Sequence, residues 1–395
     1  MSTQSFRRFI ARLLPLAFAA VPLNAATPYP LGVYTGNPNG SDAAAMTDFK
    51  AGFDAHNAVL GARPKFFNIF TDFQRDPSTW VSNAGWSAWS SAQSGTAYVG
   101  PASGIVPVVG IPLAWSGLGW SNVDYFYLYT IDGQYDAIYN GIVDAWADNG
   151  YKIVDFRIAY EFNGSFMMWA PGNSAAPSAN ADFIAAFRRV ADVIHARARQ
   201  RGIRAMIHWN PAAINYTSYD VETLYPGDAY VDVIAIDQYS PMWPIGLTDW
   251  STGGTVEMTD RDAWAAIPAN RAHYWRYPNA THYAQTPTTG SKGWSMGQAI
   301  AFAKLHRKPL AVDETGVGSQ NGALGPADDP EFPKVLAKML REARSKGVVI
   351  RNVNIWDATL SDGDWDFRGG SKPQAAAAWK SWFGDVPARV VAPKP

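Results

Sequence analysis

The chain has 395 residues, 47% of them hydrophobic and 17% charged, with a formal net charge of -1. That balance describes a globular chain with a sizeable core and excludes a disordered one. Without a basic excess there is no electrostatic footprint for nucleic acid or an anionic membrane surface, and with no cysteine there is no disulfide framework.

At the N-terminus, Arg7, Arg8 and Arg12 precede the apolar run Leu13 to Val21, and small residues follow at Ala25 and Ala26. The run is too short to span a bilayer and has the layout of a cleavable export signal. Residues 1–26 are therefore expected to be removed, leaving a secreted or periplasmic protein with no membrane contact once processed; the paired Arg7 and Arg8 leave twin-arginine export open. Residues 27–386 read as one catalytic domain and 387–395 as a C-terminal tail.

Short apolar or β-branched runs then alternate with helical patterns. Strands are expected at Leu31 to Tyr34, Phe66 to Phe70, Ile105 to Ile111, Ile153 to Tyr160, Arg204 to Trp209, Val231 to Ile236, Pro309 to Asp313 and Val348 to Trp356. Helices are expected at Thr47 to Asn57, Gly133 to Asn149, Ala181 to Arg201, Met296 to His306, Asp329 to Lys346 and Lys372 to Phe383. Eight strands, each followed by a helix or by room for one, predict a single-domain α/β fold, a (β/α)8 TIM barrel. The main irregularity is Ser240 to Lys292, a Trp-, Tyr- and Pro-containing insertion after the sixth strand, and long loops in compact domains are usually functional.

The stretch DFRIAYEFNGSFMMWAPG, Asp155 to Gly172, places Asp155, Arg157, Ala159 and Glu161 on one strand face and Val154, Phe156, Ile158 and Tyr160 on the other. If the apolar face packs on the helical ring, the charged face lines the barrel and Glu161 reaches the carboxyl end, where barrel active sites are built. Asn352, Asn354 and Trp356 face in by the same alternation, as do Asp237 and Tyr239. In the seventh strand Leu310, Val312 and Glu314 share a face, which brings Glu314 to the same rim. Two carboxyls at one mouth are the equipment for cleaving glycosidic bonds: one protonates the leaving oxygen while the other attacks the anomeric carbon or activates water. A buried Arg157 demands an anionic partner, either one of these carboxylates or Asp155 in a core ion pair, and the two arrangements can coexist.

The chain holds 17 Trp, and Trp115, Trp120, Trp169, Trp243, Trp250, Trp264 and Trp275 fall in loop-like stretches. Each can pack loops together; together they suit stacking on the apolar faces of neutral sugars. The six histidines show no metal-binding spacing, so neither metal nor cofactor is expected. The run DGDWD, Asp362 to Asp366, reads as a solvated acidic loop because it lacks the Glu of a calcium-binding loop.

Four pieces in order resemble glycoside hydrolase family 26: FRIAYEFNGSFMMWAPG, HWNPA, LYPGDAYVDVIAIDQYS and KPLAVDETGVG. The resemblance implies a retaining (β/α)8 endo-hydrolase, most often a β-1,4-mannanase, with a polysaccharide as partner. By position it makes Glu161 the general acid/base and Glu314 the nucleophile, with Tyr239 bonding the nucleophile and Asn163 supporting the acid/base loop. It also makes Trp169, Trp209 and Trp356 sugar platforms, and adds Arg157 to the substrate site. One departure stands out: Tyr160 occupies the position before the acid/base, where the family has His. A β-glucanase or xylanase of the same family, a transglycosylase, and a non-catalytic carbohydrate-binding barrel remain open beside the mannanase reading. The sugar and the oligomeric state are not legible.

Overall fold

The computed structural model describes residues 29–37, 43–71, 75–93, 100–119, 122–214, 220–244, 246–277, 293–360 and 363–384. The expected export signal and C-terminal tail lie outside the described residues. Eight parallel strands close into a barrel: β1 (Leu31–Tyr34), β2 (Phe66–Phe70), β3 (Val106–Ile111), β4 (Ile153–Ile158), β5 (Arg204–Trp209), β6 (Val233–Tyr239), β7 (Leu310–Gly316) and β8 (Ile350–Trp356). Each pairs with its sequence neighbours, and β8 closes on β1 through Leu31 to Val353 and Tyr34 to Trp356. This is the TIM-type architecture that the alternation predicts.

The expected helices appear as α1 (Ala43–Leu60), α4 (Asp136–Asp148), α5 (Ala179–Arg201), α8 (Met296–His306), α9 (Glu331–Ser345) and α10 (Pro373–Phe383). Their ends follow ordinary chemistry. Ser295 caps α8 by accepting from the Gln298 N–H, and α5 stops where Gly202 takes φ 64°. In α9, Phe332, Leu336, Met339, Leu340 and Ala343 recur at helical spacing and are buried. Two further helices, α2 (Trp80–Gln93) and α3 (Val123–Ile131), were not anticipated. Their Trp-, Ser- and Tyr-rich composition lacks the charged outer face that marks an amphipathic helix. The insertion after β6 is built from a two-strand ribbon (Thr248–Asp249 with Val256–Glu257) and the short helices α6 (Arg261–Ala266) and α7 (Pro268–Arg276). No described helix is long and apolar enough to cross a membrane.

The apolar core is the layer between strands and helices. Val154, Phe156, Ile158, Ile207, Trp209, Ile234, Ile236, Leu310, Val312, Val353 and Ile355 all belong to it. The barrel's inside is different: Asn68, Asp155, Arg157, His208, Asp313, Asn352 and Asn354 are all buried there as polar groups, where small barrels more often stack Val, Ile and Leu. Buried polar groups must be bonded to one another; the interior is thus a hydrogen-bonded stack that rises to the mouth.

Two irregularities correct the simple strand reading. Strand β4 ends at Ile158, and Ala159 (φ 49°) and Glu161 (φ 54°) both adopt the left-handed conformation, uncommon without glycine. The alternation therefore breaks, and Tyr160, expected against the helical ring, keeps contact with that core but also lays its ring 5.1 Å from the Arg157 guanidinium. Gly110 makes this possible, since a Cβ there would lie 2.7 Å from Phe70 and 2.9 Å from Tyr160. Leu310 and Val312 face the outer core, so strict alternation would put Glu314 there too. A bulge between β6 and β7 prevents it: Ile236 pairs with Val312 but Asp237 pairs with Glu314, leaving Asp313 as the extra residue. Both acids then turn inward.

Candidate active site

At the carboxyl ends of β4, β6 and β7, one oxygen from each of Glu161, Asp237 and Glu314 lies within 4.8 Å of the others. The backbone sets this up locally. The Glu161 N–H donates to the Asn210 carbonyl (2.7 Å), and the Asn163 amide clamps Ala212 from both sides, donating to its carbonyl (2.8 Å) and accepting from its N–H (2.7 Å). The loop after β4 is thereby tied to the loop after β5.

Arg157 is fully buried and organises the carboxyls. Its Nη2 donates to Asp237 Oδ2 and Glu314 Oε1, both at 2.6 Å, and its Nε donates to Asn210 Oδ1 at 2.6 Å. The Tyr239 hydroxyl donates to the other Glu314 oxygen at 2.7 Å. Glu314 thus receives one strong donor on each oxygen. Burial opposes the Arg157 charge, but Asp237, Glu314 and Asp313 overcome it and hold the guanidinium protonated. Burial, then Glu314, pushes the Tyr239 phenol well above its ordinary range, so it remains a donor. Burial drives the Asp237 carboxyl well above the carboxylate range against the pull of Arg157, with Glu314 and Glu161 pushing the same way: three crowded acids beside one guanidinium favour keeping a proton on this one. The alternative partner for Arg157 is not used. Asp155 is bonded instead by Arg351 (2.8 and 2.9 Å) and His208 (3.1 Å).

Below this layer His208 bridges two acids, its Nδ1 2.6 Å from Asp313 and its Nε2 3.1 Å from Asp155. Burial works against a charged ring, but Asp313 and Asp155 together lift the imidazole to about 9. The folded state holds this proton above the free-imidazole range, so the stability it contributes is complete below about pH 6.5 and is lost as the pH rises through about 9. Urea unfolding is expected to lose on the order of 3 kcal/mol between those limits; a midpoint that stays flat across them would contradict the bridge.

Around the carboxyls stands an aromatic wall. Trp356 faces in as expected, 4.0 Å from Tyr34 between ring centres and beside Phe70, while Trp365 packs on Tyr239 at 5.3 Å. The other two expected platforms are corrected. Trp169 is fully buried and donates its indole N–H to the Tyr160 carbonyl (2.7 Å). Trp209 is also fully buried, on the outer face of β5 among Phe162, Tyr225, Trp294 and Phe302. Neither has a ring face to offer a sugar. The loop tryptophans Trp264 and Trp275 are buried too, donating to the Thr248 and Ser240 carbonyls, Trp250 stacks on His273, and Trp120 lies outside the described residues. Of the DGDWD run, Asp364 is held by Lys372 and Asp366 by Arg368; Asp362 lies outside the described residues.

Glu161, Asp237 and Glu314 are the one group of acids or histidines among the described residues gathered closely enough to ligate a metal. The guanidinium of Arg157 already occupies oxygens of two of them, and a second cation would meet its repulsion. A cavity of about 850 Å³ at the opposite end, lined by Tyr29, Leu31, Asn57, Arg63 and Phe383, holds no part of this chemistry. Asp237, Asn210, Asp313 and His208 join the site without being among the expected site residues. The parity of Asp237 with Tyr239 and the Asn within HWNPA were available signals; the Asp313 bulge was not.

Residues 121–256 match the model of glycosyl hydrolase family 26. Over 90 residues, 22% of this chain and 10% of the relative, the sequence is 36% identical to Endoglucanase H of Acetivibrio thermocellus, so the match spans about a tenth of that protein's length. Among solved structures, the modular endo-β-1,4-mannanase of Cellulomonas fimi superposes with a TM-score of 0.55 at 16% identity, over 91% of this chain and 71% of that one. The catalytic domain of a Bacillus sp. JAMB-750 family 26 endo-β-1,4-mannanase gives 0.51 at 13% identity, over 91% and 87%. These likenesses establish the fold. The matched span includes Arg157, Glu161 and Asp237, while Glu314 lies beyond it. The signature of glycosyl hydrolase family 26 over residues 121–256 is thus carried on a closed eight-stranded barrel, the fold of both mannanases.

Proposed function

We propose that the protein is a retaining, endo-acting hydrolase of a β-1,4-linked polysaccharide, with mannan as its substrate. The observation that carries this reading is the closeness of the carboxyls. Oxygens of Glu161 and Glu314 within 4.8 Å of each other suit a double displacement, for which carboxyls about 5 to 5.5 Å apart are typical, and leave little room for the water that an inverting enzyme places between acids about 6.5 to 9.5 Å apart.

Glu314 Oε attacks the anomeric carbon as Glu161 gives its proton to the departing glycosidic oxygen, leaving a glycosyl ester on Glu314. Water then attacks the same carbon, Glu161 takes the water's proton, and Glu314 is released as a carboxylate. Arg157 and Tyr239 hold the Glu314 oxygens in place before attack, and Trp356 with Tyr34 provides the aromatic wall for the sugar at the cleavage point. Mannan is favoured by the activity named for the two fold neighbours; the match to Endoglucanase H favours β-glucan as the second reading. The site lies in a processed, exported protein if the N-terminal signal functions as its layout suggests.

A reducing-end assay of the purified protein on β-mannan, glucomannan, mixed-linkage glucan, xylan and cellulose tests this. New ends from mannan, absent from Glu161→Ala and Glu314→Ala, are expected. Cleavage confined to a glucan moves the substrate to the second reading, and silence on every polymer by a folded protein would overturn the hydrolase reading of the site.

A further inference from the structure

His208 lies beneath the carboxyls and touches none of them. Each of its ring nitrogens faces a carboxylate oxygen, Nδ1 that of Asp313 at 2.6 Å and Nε2 that of Asp155 at 3.1 Å. A neutral imidazole has one donor and would turn a lone pair toward one of these acids; only the doubly protonated ring satisfies both. Asp155 has a second cation, Arg351. Among the described residues Asp313 has none besides Arg157, whose Nε stands 3.6 Å from its Oδ2, although Asn352 donates to its other oxygen at 2.8 Å. That same Nε is committed to Asn210, and Nη2 to Asp237 and Glu314.

The contest is therefore for Arg157. Asp313 is fully buried, and a buried anion without a cation is costly. We propose that His208 is a positioning residue: as the cation beneath Asp313 it keeps that acid from drawing Arg157 off Asn210 and Glu314. The partners of His208 are Asp155 from β4 and Asp313 from β7, and these acids are held in turn by Arg157 from β4 and by Arg351 and Asn352 from β8. With these held, burial's penalty on the Asp313 anion is outweighed first by His208 and then by Arg157, and the acid stays below the ordinary carboxylate range. The catalytic consequence rests on Glu314 being the nucleophile.

Two substitutions separate this role from simple packing. His208→Gln removes the charge and keeps a donor; His208→Gln with Asp313→Asn removes the charge and its demand together. In His208→Gln, kcat on the polysaccharide that wild type cleaves is expected to fall on the order of 10²-fold, the scale of a misplaced catalytic contact, with KM within about threefold. The double variant is expected to recover at least tenfold of that loss. In NMR of isotope-labelled protein, the Arg157 Nε–H resonance, which reports its bond to Asn210, should move in the single variant and return in the double. The His208 ring of wild type should carry a proton on both nitrogens at neutral pH.

A single variant with wild-type kcat, a double variant no better than the single, or an Arg157 resonance indifferent to His208 would overturn the proposal. If the single variant does not fold, a wild-type ring carrying one proton at neutral pH overturns it, and two protons with a folded, active double variant support it. If wild type cleaves nothing, the hydrolase reading fails by itself, and the Arg157 resonance still decides whether His208 positions that guanidinium.

Discussion

Glu314→Ala is expected to lower turnover on the order of 10⁴-fold or more, because it removes the proposed nucleophile. Glu161→Ala is expected to lose about 10² to 10⁴-fold on polysaccharide, the range for a general acid/base, but far less on aryl glycosides whose leaving groups need no proton. Added azide separates the roles. In Glu314→Ala it should enter the vacated space and give a glycosyl azide of inverted configuration; in Glu161→Ala it should intercept the glycosyl ester and give the retained one. Equal losses on both substrate types, or the same azide anomer from both variants, would show that the roles are misassigned. The geometry behind the expectation is the pair of donors on Glu314, Arg157 and Tyr239, against the seat of Glu161 at the end of a strained turn with φ 54°.

The second large effect concerns stability. Arg157→Met should destabilise the fold by about 3 to 5 kcal/mol, the scale for stripping one partner from a buried ion cluster. Asp237, Glu314 and Asp313 all lie against that guanidinium, at 2.6, 2.6 and 3.6 Å, and methionine supplies neither charge nor donor. Its flexible chain still fills part of the volume under Phe70 and Tyr160, whose ring centres stand 5.3 and 5.1 Å from the guanidinium carbon, so the loss is electrostatic more than steric. Thermal and urea unfolding would measure it, and the deficit should shrink at low pH as the stranded Asp313, an anion in wild type, takes up a proton. A variant as stable as wild type at neutral pH would mean that the cluster does not need its cation.

Much of this architecture is legible in the sequence because it rests on periodicity. β1, β2, β5 and α8 have the limits that the pattern predicts. The inward faces of β6 and β8 follow from two-residue alternation, which placed Asp237, Tyr239, Asn354 and Trp356 inside. The misreadings arise where the backbone departs from alternation. Ala159 and Glu161 in the left-handed region break the alternation and bring the Tyr160 ring onto the Arg157 guanidinium, and nothing in the residue types announces it. The position of Glu314 was inferred by a count that shared a face with Leu310 and Val312; the bulge at Asp313 moves it inward. Trp169 and Trp209 show a different limit. A tryptophan near a motif can serve a sugar or fill the core, and only burial distinguishes them; both are fully enclosed. Tyr160 stands where the resembled family has His, and its packing against Phe70, Trp169 and Arg157 gives that position an aromatic role under the guanidinium.

The central claim is that Glu314 carries the sugar between the two displacements. A 2-deoxy-2-fluoro glycoside with an activated leaving group, matched to the polymer that the protein cleaves, should accumulate the glycosyl enzyme; mass spectrometry of a proteolytic digest then locates the added mass. The account predicts one glycosyl unit on the peptide holding Glu314 and none in Glu314→Ala. Label on Glu161 or Asp237, or steady cleavage with no adduct and an inverted first product, would contradict it.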